Sequence, residues 1–224
     1  MKKVSRFIKA AALSSAIFSM VACSATSMKD VEQSGFLGDY SQLHEGGEDR
    51  AVLTYVKPGV DFKAYNKIMF ERVTVYLSPE SESREIDPTV LKELADYYQN
   101  ALLEATKDGY EIVDKPGPDV LWVRVAITDV VASNPTANTL SSIIPVGMVA
   151  AVGTKAISGD NLGTGEAASE MEILDSLTKE RLAAAVDRRQ GGKTVFEGKW
   201  EDTKEAFDHW SGNFRKWLDD MRGM

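Results

Sequence analysis

Two glycine-containing stretches imitate phosphate-binding motifs. Residues 163–168 read Gly-Thr-Gly-Glu-Ala-Ala and fit G-x-G-x-x-A, a fingerprint that binds a dinucleotide only between a strand and a helix. Residues 161–162 are loop-like, and the residues after the motif alternate as in a strand. Residues 192–194, Gly-Lys-Thr, imitate the end of a phosphate loop, but Asp187 stands where that loop needs glycine and would repel phosphate. We therefore predict no nucleotide site.

Side chains suited to acid–base, nucleophilic or metal chemistry are scattered along the chain. His44 and His209 are the only histidines beside a single cysteine, so a metal site of histidine and cysteine ligands is not predicted. No G-x-S-x-G elbow sets a base beside a nucleophile. The carboxylates at 45–50 and 218–221 are interpreted as solvated charges. We predict a protein that is not an enzyme, with no catalytic residue, metal or cofactor.

The N-terminus has the three parts of a secretory signal peptide. Its basic residues are Lys2, Lys3, Arg6 and Lys9. An apolar run over 10–22 follows, and small residues precede Cys23. Because a helix that crosses a bilayer needs roughly 20 apolar residues, this run is too short to be a membrane span. Residues 1–22 are therefore predicted to be a leader that is removed on export.

Cys23 is interpreted as a lipidation site. Residues 20–23, Met-Val-Ala-Cys, resemble the lipobox of bacterial lipoproteins, in which the cysteine sulfur and the new amino terminus are acylated. Met20 stands where leucine is usual, but it is apolar and of similar volume. Several acyl chains exceed the two signals that stable anchoring requires. Ser24, in place of an inner-membrane retention aspartate, favours the outer membrane, with the domain in the periplasm. The alternative is an unmodified thiol exposed to an oxidising compartment.

The chain without its leader is long enough for one core and strongly acidic. Lys plus Arg fall from 26 to 22 against 34 acidic residues, a balance that argues against nucleic acid as a partner. Residues 23–50 are predicted to be a tether, within which 34–43 is apolar enough to dock on the domain. Residues 51–224 are predicted to be a periplasmic α/β domain with an apolar, glycine-rich insertion at 134–165.

Hydrophobic periodicity predicts an α+β domain. Helices are expected at 88–108, after the N-cap Asp87, and at 201–221. Strands are expected at 51–56, 65–77, 119–131, 168–174 and 181–187, the last two as a hairpin, and 110–113 is a candidate for an additional short edge strand. In that hairpin Met171, Ile173, Leu182, Ala184 and Val186 are expected on one face, and Glu170, Glu172, Arg181 and Asp187 on the other. The predicted fold is a single domain with a mixed, mostly antiparallel sheet of about five strands and both helices on one face.

Two apolar features are candidate interaction surfaces. The segment 140–157 is too short to cross a bilayer, so it is a buried crossover or an element that oligomerises or touches the membrane. The last helix carries an aromatic stripe, which is core or, because tryptophan is common at binding hot spots, an interface. The candidate partner-binding residues are Trp210, Phe214, Trp217, Ile144, Val146 and Met148.

Three longer stretches carry a family resemblance. They are SGFLGDYSQL at 34–43, YVKPGVDFKAYNKIMFERVTVYL at 55–77 and EMEILDSLTKERLAAAVD at 170–187. With them the chain resembles a bacterial lipoprotein family catalogued as domain of unknown function 3313. The resemblance implies a lipid-anchored envelope protein with one α/β domain, and it brings no catalytic residues.

Three functions are consistent with these features. The leading hypothesis is a non-enzymatic outer-membrane lipoprotein that holds the membrane through acyl chains on Cys23 and binds an envelope protein or itself. The second is an oligomeric secretion or pore accessory that uses 140–157. The third is a hydrolase whose site has no recognised motif.

Overall fold

The computed structural model describes residues 32–47, 50–77, 81–133, 165–191 and 198–223. Its helices are α1 Pro88–Thr106 and α2 Glu201–Arg222, and short 3-10 turns lie at Phe62–Ala64 and Glu82–Glu85. Its strands are β1 His44–Glu45, β2 Leu53–Val56, β3 Lys67–Phe70, β4 Thr74–Val75, β5 Glu111–Ile112, β6 Val120–Val131, β7 Glu166–Asp175 and β8 Arg181–Gln190.

The strands of this part of the chain form one mixed sheet in the order β1-β2-β8-β7-β6-β3-β5, with β4 also paired to β6. Neighbours from β1 to β6 are antiparallel, whereas β3 and β4 run parallel to β6 and β5 runs parallel to β3. Parallel neighbours need a long crossover, and α1 supplies it. The predicted class, an α+β domain with a mixed sheet, is confirmed. The sheet has eight strands in the described residues rather than five, because β1, β4 and β5 each have only two residues.

The long strand predicted at 65–77 is divided into β3 and β4. Phe70 is paired with Val123, while Thr74 is paired with Ala126. The segment that joins β3 to β4 therefore has one residue more than the facing part of β6. The amide of Val73 donates to the Gln99 side chain of α1, 2.9 Å away, instead of to β6. A bulge therefore interrupts a run that reads as continuous from its composition.

Local signals explain both helices. The Asp87 carboxylate accepts a 2.7 Å hydrogen bond from the amide of Thr89, and Pro88 occupies the first helical position of α1. Gly223 ends α2 with a φ of +70°, the left-handed conformation that glycine adopts freely. The two helices pack against each other over the sheet, where Tyr98 and Phe207 stack with ring centroids 4.5 Å apart.

The β7–β8 hairpin forms, but part of its predicted facing is wrong. Val186 is opposite Glu170 and Ala184 is opposite Glu172, whereas Asp187 is opposite Ser169. Because the Ser169 side chain lies beside Tyr98 of α1, Asp187 faces the helices. A bulge between Ile173 and Leu174 shifts the register, and apolar residues on both faces hide the phase of the alternation.

The second face of the sheet is covered as well. Leu37 is buried there against β2 and β8 in a cluster with Leu53, Ala184 and Val186. Phe36, Tyr40 and Leu43 pack around that cluster. Residues 34–43 thus lie on the face opposite α1 and α2, and the sheet is enclosed between the helices and this segment.

Candidate functional site

The aromatic residues predicted to bind a partner lie in the main core. Trp210 and Phe214 are only 7% and 5% exposed, and Trp217 packs partly buried beside them. The rings of Trp210 and Phe207 have centroids 6.0 Å apart, and Trp217 meets Phe62 edge-on at 5.2 Å. These contacts explain the aromatic stripe by packing within the chain. A role of the same residues in a protein interface stays a prediction.

Other predicted site residues lie outside the described residues. These are Cys23 and the three residues of the apolar segment, Ile144, Val146 and Met148. Strand β7 follows Gly165 directly, so a strand occupies the place where the fingerprint at 163–168 would need a helix.

A cavity of about 150 Å³ lies between α2 and strands β2, β7 and β8. Small side chains on β8, Ala183 and Ala185, leave room beneath the helix. Aromatic side chains form much of the wall: Tyr98, Trp210, Phe214 and Trp217. The Tyr55 side chain packs instead against the cluster of Leu37, Leu53, Ala184 and Val186 on the opposite face. A concave, mainly apolar space with a few polar groups is typical of small-molecule sites.

Asp187 is the carboxylate of this cavity. Its Oδ2 accepts a 2.7 Å hydrogen bond from the indole Nε1 of Trp210, and its Oδ1 accepts a 3.1 Å bond from the amide of Val52. Burial raises the pKa of Asp187 above its usual range, although the hydrogen bonds from Trp210 and Val52 act in the opposite direction. The loss of hydration therefore outweighs the local donors.

The cavity places two more polar groups on the sheet side. The hydroxyls of Tyr98 and Ser169 lie 3.3 Å apart, and Ser169 donates to the carbonyl of Ala126 at 3.0 Å. Burial raises the pKa of Tyr98 well above its usual range. Asp187 is opposite Ser169 in the β7–β8 pair, but the Ser169 hydroxyl donates its proton to the carbonyl of Ala126 and not to that carboxylate.

A second polar site holds residues 34–43 on the opposite face. Glu170 is 0% exposed, yet its carboxylate accepts hydrogen bonds from the amide of Ser34 at 2.8 Å, the amide of Leu37 at 3.3 Å and the hydroxyl of Tyr40 at 2.6 Å. Burial and the neighbouring Glu170 raise the pKa of Tyr40 to about 12. Three donors compensate for the cost of burying one carboxylate.

Arg181 and Arg124 extend this site. Arg181 donates to the carbonyls of Leu37 and Asp39, each at 2.6 Å, and also pairs with Glu172 at 3.0 Å. Arg124 bridges Glu172 and Glu71. Charged hydrogen bonds therefore hold the segment along its length.

Asp202 forms a third buried polar cluster, at the start of α2. Its Oδ2 accepts from the hydroxyl of Ser133 at 2.7 Å and from the amide of Gly165 at 2.6 Å. Its Oδ1 has no hydrogen-bond partner among the described residues. A side chain at Gly191 would overlap this carboxylate. Asp202 therefore joins the ends of β6, β7 and β8 to α2.

The roles of Asp187, Glu170 and Asp202 are not apparent from the amino-acid sequence. Strand alternation predicts Glu170 and Asp187 on one polar face, but they lie on opposite faces of a sheet that is covered on both sides. One signal was available, because an apolar 34–43 segment needs a receiving surface, and carboxylates within an apolar strand can supply it. No such signal marks Asp202.

No group of three or more histidine, cysteine, aspartate or glutamate side chains is placed to hold a metal ion in the described residues. In the same part of the chain, no helix combines the length and the apolar character that crossing a membrane requires.

The chain is similar to a protein and to solved structures of other bacteria. It is 29% identical over 222 residues to the uncharacterized lipoprotein YdcL of Escherichia coli K12, covering 98% of this chain and 94% of the relative. A PelC dodecamer subunit from Paraburkholderia phytofirmans has a TM-score of 0.38 at 8% identity, over 75% of this chain and 95% of that one. A minor lipoprotein from Acinetobacter baumannii has a TM-score of 0.36 at 9% identity, over 70% of this chain and 95% of that one.

A sequence model of one protein family matches residues 32–214, from the docked segment to the middle of α2. All the stretches that carried the resemblance in the sequence lie within this range. The chain belongs to the family described as Protein of unknown function (DUF3313).

Proposed function

We propose that the chain is an outer-membrane lipoprotein, anchored through acylated Cys23, whose periplasmic domain is a non-enzymatic module that binds or assembles with envelope components. The observation that carries the proposal is the docked segment. Ser34 lies eleven positions after Cys23 and is held by Glu170 at 2.8 Å. Since an extended residue spans at most about 3.6 Å, this attachment keeps the domain close to its lipid anchor.

The name of the Escherichia coli relative supports the anchor. That protein is called a lipoprotein, and the similarity covers 98% of this chain, including the region of residues 20–23. Docking from Ser34 onward limits the link between the lipid anchor and the domain to residues 24–33. A link that continued freely to residue 50 would let the domain move farther from the membrane surface.

The buried acids support a role other than catalysis. Glu170 accepts two backbone amides and a tyrosine hydroxyl, Glu172 pairs with two arginines, and Asp202 ties strand ends to α2. Each carboxylate therefore has a structural task. An acid–base catalyst instead needs a carboxylate that faces a substrate in a cleft. Asp187 has such a position, but the side-chain donor bound to it is the indole of Trp210 and not a nucleophile.

The anchor is tested by two substitutions in the full chain expressed in a didermic host. Cys23→Ser should abolish the acyl mass increment and release the protein from the outer-membrane fraction. Ser24→Asp should keep the acyl chains but move the protein to the inner membrane. The proposal would be contradicted if Cys23→Ser kept the acyl mass increment, or if both variants stayed in the outer-membrane fraction.

The binding role is tested by crosslinking in intact cells. A photo-crosslinking residue at an exposed position such as Leu177, which is 55% exposed, should yield a discrete adduct with an envelope component or with a second copy. A second copy as the sole adduct would favour the oligomeric accessory that uses 140–157. If several exposed positions gave no adduct, the proposal that the domain is a binding or assembly module would be contradicted.

A further inference from the structure

We propose that the cavity between α2 and strands β2, β7 and β8 binds a small organic cation, an ammonium group attached to an apolar body, with Asp187 as its counter-ion. The inference goes beyond the anchor and does not depend on it, because all the residues concerned lie within the folded domain. It follows from the volume, the wall and the charge of the cavity.

The volume sets the size of the ligand. The cavity measures about 150 Å³, and an apolar cavity of that volume takes up a molecule such as benzene in other proteins. Its lining is mostly apolar, from Met171 and Ile173 on the sheet to Phe214 on α2. The body of the ligand is therefore a six-membered ring or an aliphatic group of similar volume.

The charge sets the polar end. Within the described residues, no lysine or arginine lies within ion-pair distance of Asp187. The side chain of Trp210 and the backbone amides of Val52 and Arg188 donate to its carboxylate, whose two oxygens can accept about four hydrogen bonds. A further donor can thus be bound, and a positively charged donor offsets the burial cost of Asp187 best.

The wall also favours a cation. Tyr98, Trp210, Phe214 and Trp217 line the cavity, and aromatic rings attract ammonium groups through their electron-rich faces. The other charged side chains around Asp187 are Arg50, which is exposed at the rim, and His209, which acts on it electrostatically. Because Arg50 is solvated, its repulsion is screened more strongly than the attraction of Asp187.

Three probes of similar size and different charge test the inference. Benzylammonium, benzyl alcohol and benzoate are titrated at pH 7 into the full chain held in nanodiscs, with empty nanodiscs as the blank. We expect saturable binding of one benzylammonium per chain, with an affinity at least about tenfold above that of the other two probes. Equal affinities, a preference for benzoate or no saturable binding would overturn the inference.

Two variants locate the binding. Asp187→Asn should remove the preference for benzylammonium over benzyl alcohol, whereas Glu205→Gln, which removes the same charge from an exposed position of α2, should preserve it. Ala185→Leu fills the cavity while leaving Asp187 in place, so it should abolish binding of all three probes in a protein that stays folded. Unchanged benzylammonium affinity in a folded Ala185→Leu chain would place the binding elsewhere and refute the proposal, even if Asp187→Asn failed to fold.

Discussion

Three carboxylates receive hydrogen bonds from groups that are remote in the sequence. Glu170 binds residues of the docked segment, Asp187 binds Trp210 and Val52, and Asp202 binds Ser133 and Gly165. Removing a partner from a buried polar group costs more than the hydrogen bond itself gains. Substitutions at these contacts therefore report directly on how the separate parts of the domain are held together.

The hydroxyl of Tyr40 should stabilise the domain in a pH-dependent way. The pKa of Tyr40 is raised from 10.0 to about 12 in the folded protein, so the neutral form is favoured on folding. Its contribution is fully present below pH 10 and is lost as the pH rises through 12. We expect Tyr40→Phe to lower the free energy of unfolding by about 1–2 kcal/mol at pH 7, and this difference should shrink between pH 10 and 12.

Urea unfolding followed by tryptophan fluorescence at several pH values measures this difference. Tyr76→Phe is the matched control, because Tyr76 is 46% exposed and its hydroxyl makes no hydrogen bond with the described residues. That control should have the stability of the parent chain at pH 7. A Tyr40→Phe difference that does not change between pH 8 and 11 would contradict the assignment.

Gly191 should be intolerant of a side chain. A Cβ there would overlap the carboxylate of Asp202, and Asp202 is buried with 4% exposure. We expect Gly191→Ala to lower the free energy of unfolding by about 2 kcal/mol. Gly212→Ala, in open space on α2, should instead raise it by about 0.5–1 kcal/mol. Thermal unfolding of both variants tests this. Equal changes in stability for the two variants would show that the side chains around Asp202 can move to accommodate a methyl group.

At the scale of elements, the docked segment behaves as an additional layer of the sheet. It has no regular strand pairing with β7, yet Glu170, Arg181 and the Leu37 side chain hold it on the surface of β7 and β8. The Phe36 ring also lies 5.0 Å from the guanidinium of Arg124. Its attachment thus depends on side chains from three strands rather than on a ladder.

Glu170→Ala should release this segment while the sheet persists. The variant removes the acceptor for the amides of Ser34 and Leu37 and for the Tyr40 hydroxyl. We expect those two amides to exchange hydrogen at least about fivefold faster, since loss of a buried acceptor costs more than about 1 kcal/mol. Hydrogen exchange with mass spectrometry measures this.

Glu93→Ala, which changes an exposed acid of α1, is the control and should leave the exchange of the segment unchanged. The amides of β6 should stay protected in both variants. Protection of residues 34–37 equal to that of the parent chain would show that the apolar contacts of Leu37 suffice to hold the segment.

At the scale of the molecule, the sheet is covered by helices on one face and by residues 34–43 on the other. The helical side contains most of the buried aromatic residues and also the cavity. Large residues from α1 and α2 meet small alanines on β8 there, and the packing leaves a space. The same face therefore provides both stability and a binding volume.

Trp210→Ala should test this dual role. We expect it to lower the free energy of unfolding by about 3–5 kcal/mol, because Trp210 is 7% exposed and donates to Asp187. Trp122, half-buried on the opposite face near Lys179 and Arg124, is the control, and Trp122→Ala should cost less than half as much. Denaturant unfolding compares the two. A Trp210→Ala protein of parental stability that loses an envelope partner would favour the interface hypothesis over a core role.

The amino-acid sequence alone determined the features that depend on neighbours in the chain. The bounds of α1 and α2 follow from helical periodicity and end signals, and the β7–β8 hairpin follows from two apolar runs around a polar loop. Only the tertiary structure decided the break between β3 and β4, the side on which Asp187 lies and the burial of Glu170. These depend on bulges and on partners more than 100 positions away, such as Ser34 for Glu170. In a sheet with both faces covered, the local pattern of hydrophobic residues does not predict on which face a carboxylate lies.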